Sequence, residues 1–257
     1  MDEEIRAYYE TGVERDRLAQ SYSRVEFERT KEIIGRFLPE RARVLDVGGG
    51  PGAYAEWLAD QGHEVRLVDG TPLHVEQALE RAQGRFSAVV GDARSLDESD
   101  GSYDLVLLLG PLYHLVERDQ RLTALREAHR VLRAGGLVAA AAISRFASLL
   151  DGLLQRYLGD PRFWEIVRQD LADGQHRSPG EFFTTAFFHH PDELAGEVEE
   201  AGFVLEDVLG VEGPGWLLID RADSYEDIVR VARAVESEPT VIGTSAHLLA
   251  VARKPDR

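Results

Sequence analysis

The sequence predicts an α/β protein: a doubly wound, mostly parallel sheet carrying a helical cap insertion. Three observations point there. Short apolar runs alternate with amphipathic segments from Arg43 to Ser144, the rhythm of successive right-handed βαβ units. The first run ends in a glycine-rich turn, "VLDVGGGPGAYA", Val44 to Ala55. The rhythm stops over Arg145 to His190, a stretch rich in aromatic residues, and resumes at Pro191.

Taken in order, Glu3 to Phe37 reads as helical, with apolar residues at helical spacing in "FERTKEIIGRFL", and Pro39 closes it. "ARVLDV" is a buried strand. "GAYAEWLADQG" is a helix with Gly62 at its C′ position. "HEVRLVD" is a second strand, followed by the helix "PLHVEQALERAQ" with Pro72 near its first position. "FSAVVGD" and "YDLVLLLG" are the third and fourth strands; the latter is almost continuously apolar, as a strand covered on both faces must be. "DQRLTALREAHRVLRAGG" is a helix expected to end at Gly135, with "LVAAAAIS" as the fifth strand. Residues 145–190 contain no clear strand and read as an inserted helical cap. "PDELAGEVEEAGF" is a helix led in by His190 and started by Pro191. "VLEDVLGVE", "SYEDIVRVARAVES" and "AHLLAVARK" close the chain as strand, helix and strand. The expected organisation is one domain over 1–257, with an N-terminal helical lid over 1–38 and the cap over 145–190.

Composition narrows the function. A chain of 257 residues that is 44% hydrophobic can bury one α/β core. The formal net charge of −17 repels polyanions and argues against nucleic-acid and anionic-membrane partners. With no cysteine there is no disulfide, thiolate metal site or cysteine nucleophile. The acidic start "MDEEIRAYYE" does not read as a signal peptide, and no apolar run is long enough to span a bilayer. A cytoplasmic protein is expected. Oligomeric state is not readable, and no metal is expected.

The glycine turn fits two ligands. Gly48-x-Gly50-x-x-Ala53 satisfies the dinucleotide fingerprint, and Asp69 ends the next strand where a ribose-binding acid belongs. Three features favour S-adenosylmethionine instead. Asp46 lies inside the strand, where an acid can order the loop and receive a cationic amino-acid moiety but sits badly beside a pyrophosphate. "GDARSL" follows the third strand, so that Asp92 can accept an adenine amine while the Ala93 amide faces the ring. The two lysines, Lys31 and Lys254, lie far from the loop, and no Tyr-x-x-x-Lys pair is present for a short-chain dehydrogenase.

The ordered set Asp46–Gly48–Gly50–Gly52, Asp69, Asp92–Ala93, "YDLVLLLGPLYHL" and "VLRAGGLVAAAAIS" resembles class I S-adenosylmethionine-dependent methyltransferases over Arg43 to Ser144. The resemblance implies a Rossmann-like, seven-stranded sheet with an antiparallel last strand. It assigns Asp46, Gly48, Gly50, Gly52, Asp69, Gly70, Asp92, Ala93 and Leu109 to the cofactor. The N-terminal segment of relatives folds over the cofactor, which makes Arg29 a candidate for the methionine carboxylate. A helix near Ser224 to Ser237 stands where relatives often have a short hairpin. The tetrapeptide "GPLY", Gly110 to Tyr113, replaces the Asn/Asp-Pro-Pro-aromatic motif of enzymes that methylate amino groups of bases or glutamine, and Gly110 has no side chain to anchor such a nitrogen. The implied activity is methyl transfer to an oxygen or nitrogen of a small molecule. The competing readings are a nicotinamide-dependent oxidoreductase and a catalytically silent methyltransferase-like binding protein.

Methyl transfer is an in-line displacement that asks mainly for positioning, plus a base where the acceptor is a hydroxyl. His114 follows the fourth strand, where ligands sit in open α/β sheets, and is the first candidate base; the competing reading is a half-buried histidine satisfied by a carbonyl. Tyr113 and His189 are the next catalytic candidates. Tyr9 and Trp216 are candidate substrate contacts, Trp216 because the loop "GVEGPGW" reaches the pocket rim if the sixth strand is parallel.

Overall fold

β1 (Arg43–Val47) lies inside a nine-stranded sheet because its neighbours on both sides are parallel strands that cover its edges: β2 (Glu64–Asp69) on one side and β4 (Tyr103–Leu108) on the other. β3 (Ser87–Val90) extends the sheet beyond β2, and β5 (Leu132–Ser144) follows β4, both in parallel. β9 (His247–Arg253) pairs antiparallel with β5 and with β8 (Val204–Gly210), so β8 runs in the direction of β1 to β5 and the last strand runs against it. The computed structural model describes every residue except 1–2, 13, 16, 20–22, 178–181, 220–221, 223 and 257.

Strand periodicity splits the core into two layers. Val44, Leu105, Leu107, Ala139 and Val251 point to the face covered by α2 (Ser23–Gly35), α3 (Ala53–Asp60) and α4 (Pro72–Ala82). Leu45, Val106, Leu108, Val138, Ala140 and Ala252 point to the other face, under α6 (Arg118–Val131) and α9 (Pro191–Glu200). Asp46 falls on the first face, in register with Val44, and is the acid in a strand that is otherwise apolar after Arg43.

The expected seven-strand frame is present, with departures elsewhere. The helix predicted to reach Gly135 ends at Val131, because β5 begins at Leu132 to pair with Tyr103 of β4. The N-terminal helix is broken into α1 (Glu3–Tyr9) and α2. The inserted segment is not wholly helical. It holds α7 (Ala147–Leu154) and α8 (Pro161–Asp173), but also β6 (Gln175–His176) and β7 (Ala186–His189). β7 prolongs the sheet because Ile143 and Ser144 of β5 extend past the end of β4 and offer a free edge. A buried ion pair fixes this addition. Arg121 of α6 donates to Glu197 of α9 at 2.7–3.1 Å and to the carbonyls of Leu115 and Val116, while its guanidinium lies 3.8 Å over the Phe187 ring.

α9 starts as expected, with Pro191 in its first turn and a capping box between His190 and Glu193. The helix between the last two strands is also present, as α10 (Tyr225–Val235), capped by Ser224.

Candidate active site

The turn after β1 bends back by left-handed backbone at Gly48, Gly50 and Gly52, with φ of 70°, 54° and 85°. Two glycines meet tight packing. A Cβ on Gly48 would come within 2.6 Å of the Pro111 ring, and one on Gly49 within 2.5 Å of Asp46 Oδ2. Gly50 differs: a Cβ there would meet nothing closer than 3.8 Å, because it faces a cavity of about 910 Å³. Asp46, Gly48, Gly70, Asp92, Ala93, Leu109, Tyr113 and His114 line the same cavity, as do Asp69 and Tyr9.

Each acid in this cavity is prepared differently. Asp46 is fully buried, and neither carboxylate oxygen has a hydrogen-bond partner of good geometry. Burial and the nearby charge of Asp69 push its carboxyl up to about 7, against a small opposing influence of the Ala55 backbone. An ammonium group placed beside it would supply the missing partner. Asp69 is already ordered: Oδ2 accepts from the Gly50 amide at 2.9 Å, and Oδ1 from the Thr71 amide at 2.8 Å and His74 Nδ1 at 3.2 Å. A carboxylate has about four acceptor positions, so this one can still take a ribose hydroxyl. Asp92 is held by the backbone and guanidinium of Arg94 at 2.6–2.9 Å, and these bonds keep its carboxyl well below the ordinary range. The orphaned Asp46 carboxylate and the open space at Gly50 fit the ammonium and the backbone-hugging chain of S-adenosylmethionine.

Tyr9 of α1 reaches into this cavity and donates its hydroxyl to His114 Nε2 at 2.6 Å; burial holds the phenol well above its ordinary value, so it keeps its proton. His114 sits in α5 (Pro111–His114), and its Nδ1 faces the Thr185 carbonyl at 3.5 Å. Burial lowers the imidazole to about 4. The sequence makes His114 the first candidate base. In the structure it is a neutral ring whose acceptor nitrogen is occupied by Tyr9, a poor arrangement for a base.

A second cavity, of about 430 Å³, shares a wall with the first: Tyr9, Arg17, Glu26, Tyr113 and His247 line both. Aromatic rings from the inserted segment dominate its far side, among them Tyr157, Phe163, Phe182, Phe183 and Phe188. Trp216 lies here, not in the larger cavity, with Nε1 donating to the Thr244 carbonyl at 3.0 Å. The shared wall is charged. Arg17 clasps Glu26 at 2.6 and 3.0 Å, and Glu212 accepts from His247 Nδ1 at 2.6 Å and Ser245 Oγ at 2.7 Å. Burial alone would lower His247, but Glu26 and Glu212 raise it to about 9 and keep it cationic. Glu26, Glu212 and His247 have the spacing of a metal-ligand group, with Arg17 and the His247 proton already balancing the carboxylates.

Three expected site residues lie elsewhere. Arg29 is fully buried and is tied to Glu236, to Glu32 at 2.6 Å and to the Val211 carbonyl; it joins α2 to the C-terminal end of α10 and touches neither cavity. His189 is fully buried, its Nε2 3.3 Å from Glu197, and belongs to the Arg121 ion-pair cluster. Gly52 is a helix start whose Cβ direction points at Phe86 and Ala78, so it serves packing. Conversely, the reading missed His74, Arg17, Glu26 and His247. His74 had a signal: it opens the helix after β2, at the carboxyl ends of the parallel strands. The others come from α2, the turn before it and β9, and nothing in their local sequence marks them.

The methyltransferase domain family matches residues 44–136. The chain is 30% identical over 203 residues to a ubiquinone biosynthesis O-methyltransferase of Xylella fastidiosa strain M23, covering 77% of this chain and 75% of the relative. It is 32% identical over 203 residues to a malonyl-[acyl-carrier protein] O-methyltransferase of Geobacter sulfurreducens, covering 77% and 68% of the two chains. Among solved structures, the PH0226 protein of Pyrococcus horikoshii superposes with a TM-score of 0.64 at 20% identity, covering 96% of this chain and 98% of that one, a likeness of fold.

Proposed function

This chain belongs to the S-adenosylmethionine-dependent methyltransferases, and on that premise we propose that it methylates an oxygen of a small aromatic molecule held in the second cavity. The observation that carries the reading is the pair of cavities with one wall between them. The larger holds the glycine turn and its acids. The smaller is lined by aromatic rings on the side of the inserted segment, suited to a flat apolar molecule. When bound, S-adenosylmethionine supplies an electrophilic methyl group on a sulfonium.

The protein's part is placement. Asp46 receives the cofactor's ammonium, Asp69 a ribose hydroxyl, and Gly48, Gly50 and Gly70 give the backbone approach. Asp92, Ala93 and Leu109 border the adenine side. Tyr9, Tyr113 and His114 form the wall nearest the acceptor, and Trp216 closes its compartment. The segments 1–38 and 145–190 act as lid and cap on a single domain, excluding water from the transfer. An oxygen acceptor is favoured because the relatives named above are O-methyltransferases and because Gly110 offers no side chain to anchor an amino nitrogen. The net charge of −17 supports a small-molecule acceptor over nucleic acid. Among the described residues no helix is long and apolar enough to cross a membrane.

The test is turnover of methyl-labelled cofactor against matched panels of phenols, amines and carboxylic acids, beside calorimetry with S-adenosylhomocysteine. Labelled phenol ethers are expected, with S-adenosylhomocysteine binding in the absence of acceptor. Label transferred only to amines would overturn the oxygen assignment; cofactor binding without any turnover would favour a silent binding protein.

A further inference from the structure

The second cavity contains a buried polar pair, His176 with Asp170, to which the placement of cofactor and acceptor assigns no part. His176 of β6 lines it and is almost fully buried. Its Nδ1 lies 3.1 and 2.9 Å from the two carboxylate oxygens of Asp170, a fully buried residue of α8. Among the described residues that carboxylate has no other hydrogen-bond partner. The pairing calls for a proton on Nδ1, and in the neutral ring Nε2 is then the lone-pair acceptor. The ring is held flat: it stacks on Phe188 with centroids 4.9 Å apart and planes 16° apart, and Phe183 stands 6.0 Å away on a tilt. Nε2 has no hydrogen-bond partner, and neither has Ser148 Oγ, which lines the same cavity from α7.

A buried acceptor left unpaired costs on the order of 1–3 kcal/mol, and folded proteins satisfy nearly all such groups. Here an oriented imidazole is left unsatisfied among the aromatic rings that the inserted segment brings to the cavity, away from the charged residues of the shared wall. A structural clamp between β6 and α8 needs only the Nδ1 side. It does not account for a buried, unpartnered Nε2 on a residue that lines the compartment.

We propose that the Asp170–His176 pair is the specificity device of the acceptor cavity: His176 Nε2 accepts the hydrogen bond of a hydroxyl on a planar aromatic substrate, and Asp170 positions the ring. This rests on the acceptor-cavity reading above. A molecule whose hydroxyl is already capped by a methyl group has no hydrogen to donate and leaves Nε2 unpaired, so the device favours substrate over methylated product. A site built to receive a hydroxyl discriminates strongly against the analogue lacking it.

The experiment compares 2-naphthol with 2-methoxynaphthalene, titrated into the full chain loaded with S-adenosylhomocysteine. The wild type is expected to prefer the naphthol by about tenfold or more. In His176→Phe the preference should vanish while ether affinity stays within about twofold. Asp170→Asn should reduce the preference without removing the cavity. Because either variant could loosen the inserted segment, imidazole nitrogen spectra of the wild type provide an independent readout. The His176 Nε2 resonance should move on adding naphthol and stay in place with the ether. Equal binding of the two ligands by the wild type, an unchanged preference in His176→Phe, or an unmoved Nε2 resonance with naphthol bound overturns the device while leaving the cavity. Binding of neither ligand overturns the cavity reading and the device with it.

Discussion

The two cavities solve the same problem, presenting polar groups inside a protein, in opposite ways. In the larger one the groups come from consecutive turns at the ends of β1, β2 and β3, and backbone amides hold them: Gly50 and Thr71 on Asp69, Arg94 on Asp92. In the smaller one they come from α2, the turn before it, the inserted segment, the loop after β8 and β9, and side chains hold one another: Arg17 with Glu26, His247 with Glu212, His176 with Asp170. A backbone-held site depends on local sequence and tolerates change around it. A side-chain-held site can be re-specified by a few substitutions without touching the sheet. The comparison predicts that cofactor binding breaks at single positions of the first region, whereas changes in the second alter which acceptor is used.

The largest effect is expected at Gly50. A valine there must adopt a left-handed φ and projects its side chain into the cavity, so Gly50→Val should abolish measurable S-adenosylhomocysteine binding while the sheet, followed by far-ultraviolet circular dichroism, remains. Normal affinity in that variant would place the cofactor elsewhere. Asp69→Ala comes next. It removes the ribose acceptor and frees the Gly50 and Thr71 amides, and should weaken binding by about 1.5–3 kcal/mol in calorimetry. An unchanged Kd would remove Asp69 from the site.

Asp46 sharpens the comparison because its two effects have opposite signs. Burial raises its carboxyl from the ordinary 3.8 to about 7. Between those values the folded chain holds a proton that the unfolded chain has released, so stability falls as pH rises across the window. Asp46→Asn removes that penalty and should raise the Tm of the cofactor-free protein at pH above about 7, a gain of roughly 1–3 kcal/mol. It should also weaken S-adenosylhomocysteine binding by about tenfold, since the ammonium loses its counter-charge. A variant that is less stable and binds normally would contradict both halves.

The smallest effect on turnover is expected at His114. Lowered by burial to about 4, it is neutral near pH 7, with its acceptor nitrogen filled by Tyr9. His114→Ala should reduce kcat by less than about tenfold, where loss of a general base would cost about 10²–10⁴. The depressed imidazole also sets a sign for stability. The unfolded chain takes up a proton near 6.5 that the folded chain refuses until about 4, so stability falls as pH drops through that range. His114→Ala should flatten this part of the Tm profile; a steep remaining loss would assign it to other groups.

What was readable in the sequence follows the same division. The order of strands, the glycine turn, Asp46, Asp69 and Asp92 could be read because each lies within a few residues of a strand end, where periodicity and turn chemistry leave local marks. Arg29 and His189 were misplaced for the converse reason. Both are polar residues near expected site elements, and only tertiary structure reveals that Glu236 and Glu197 claim them. His247 and His176 went unnoticed because their partners, Glu212 and Asp170, become neighbours through folding. The strands β6 and β7 were hidden for a related reason: they are short, and β7 exists because β5 overruns β4 and leaves an edge to pair.

The division of labour between the cavities is tested most directly by filling the smaller one. Ser148 is a buried α7 residue on its wall, and Ser148→Phe places a ring in the compartment. Calorimetry on that variant should show S-adenosylhomocysteine binding within about twofold of wild type and no binding of 2-naphthol to the loaded protein. Loss of S-adenosylhomocysteine binding, or naphthol affinity equal to wild type, would contradict the assignment of cofactor to one cavity and acceptor to the other.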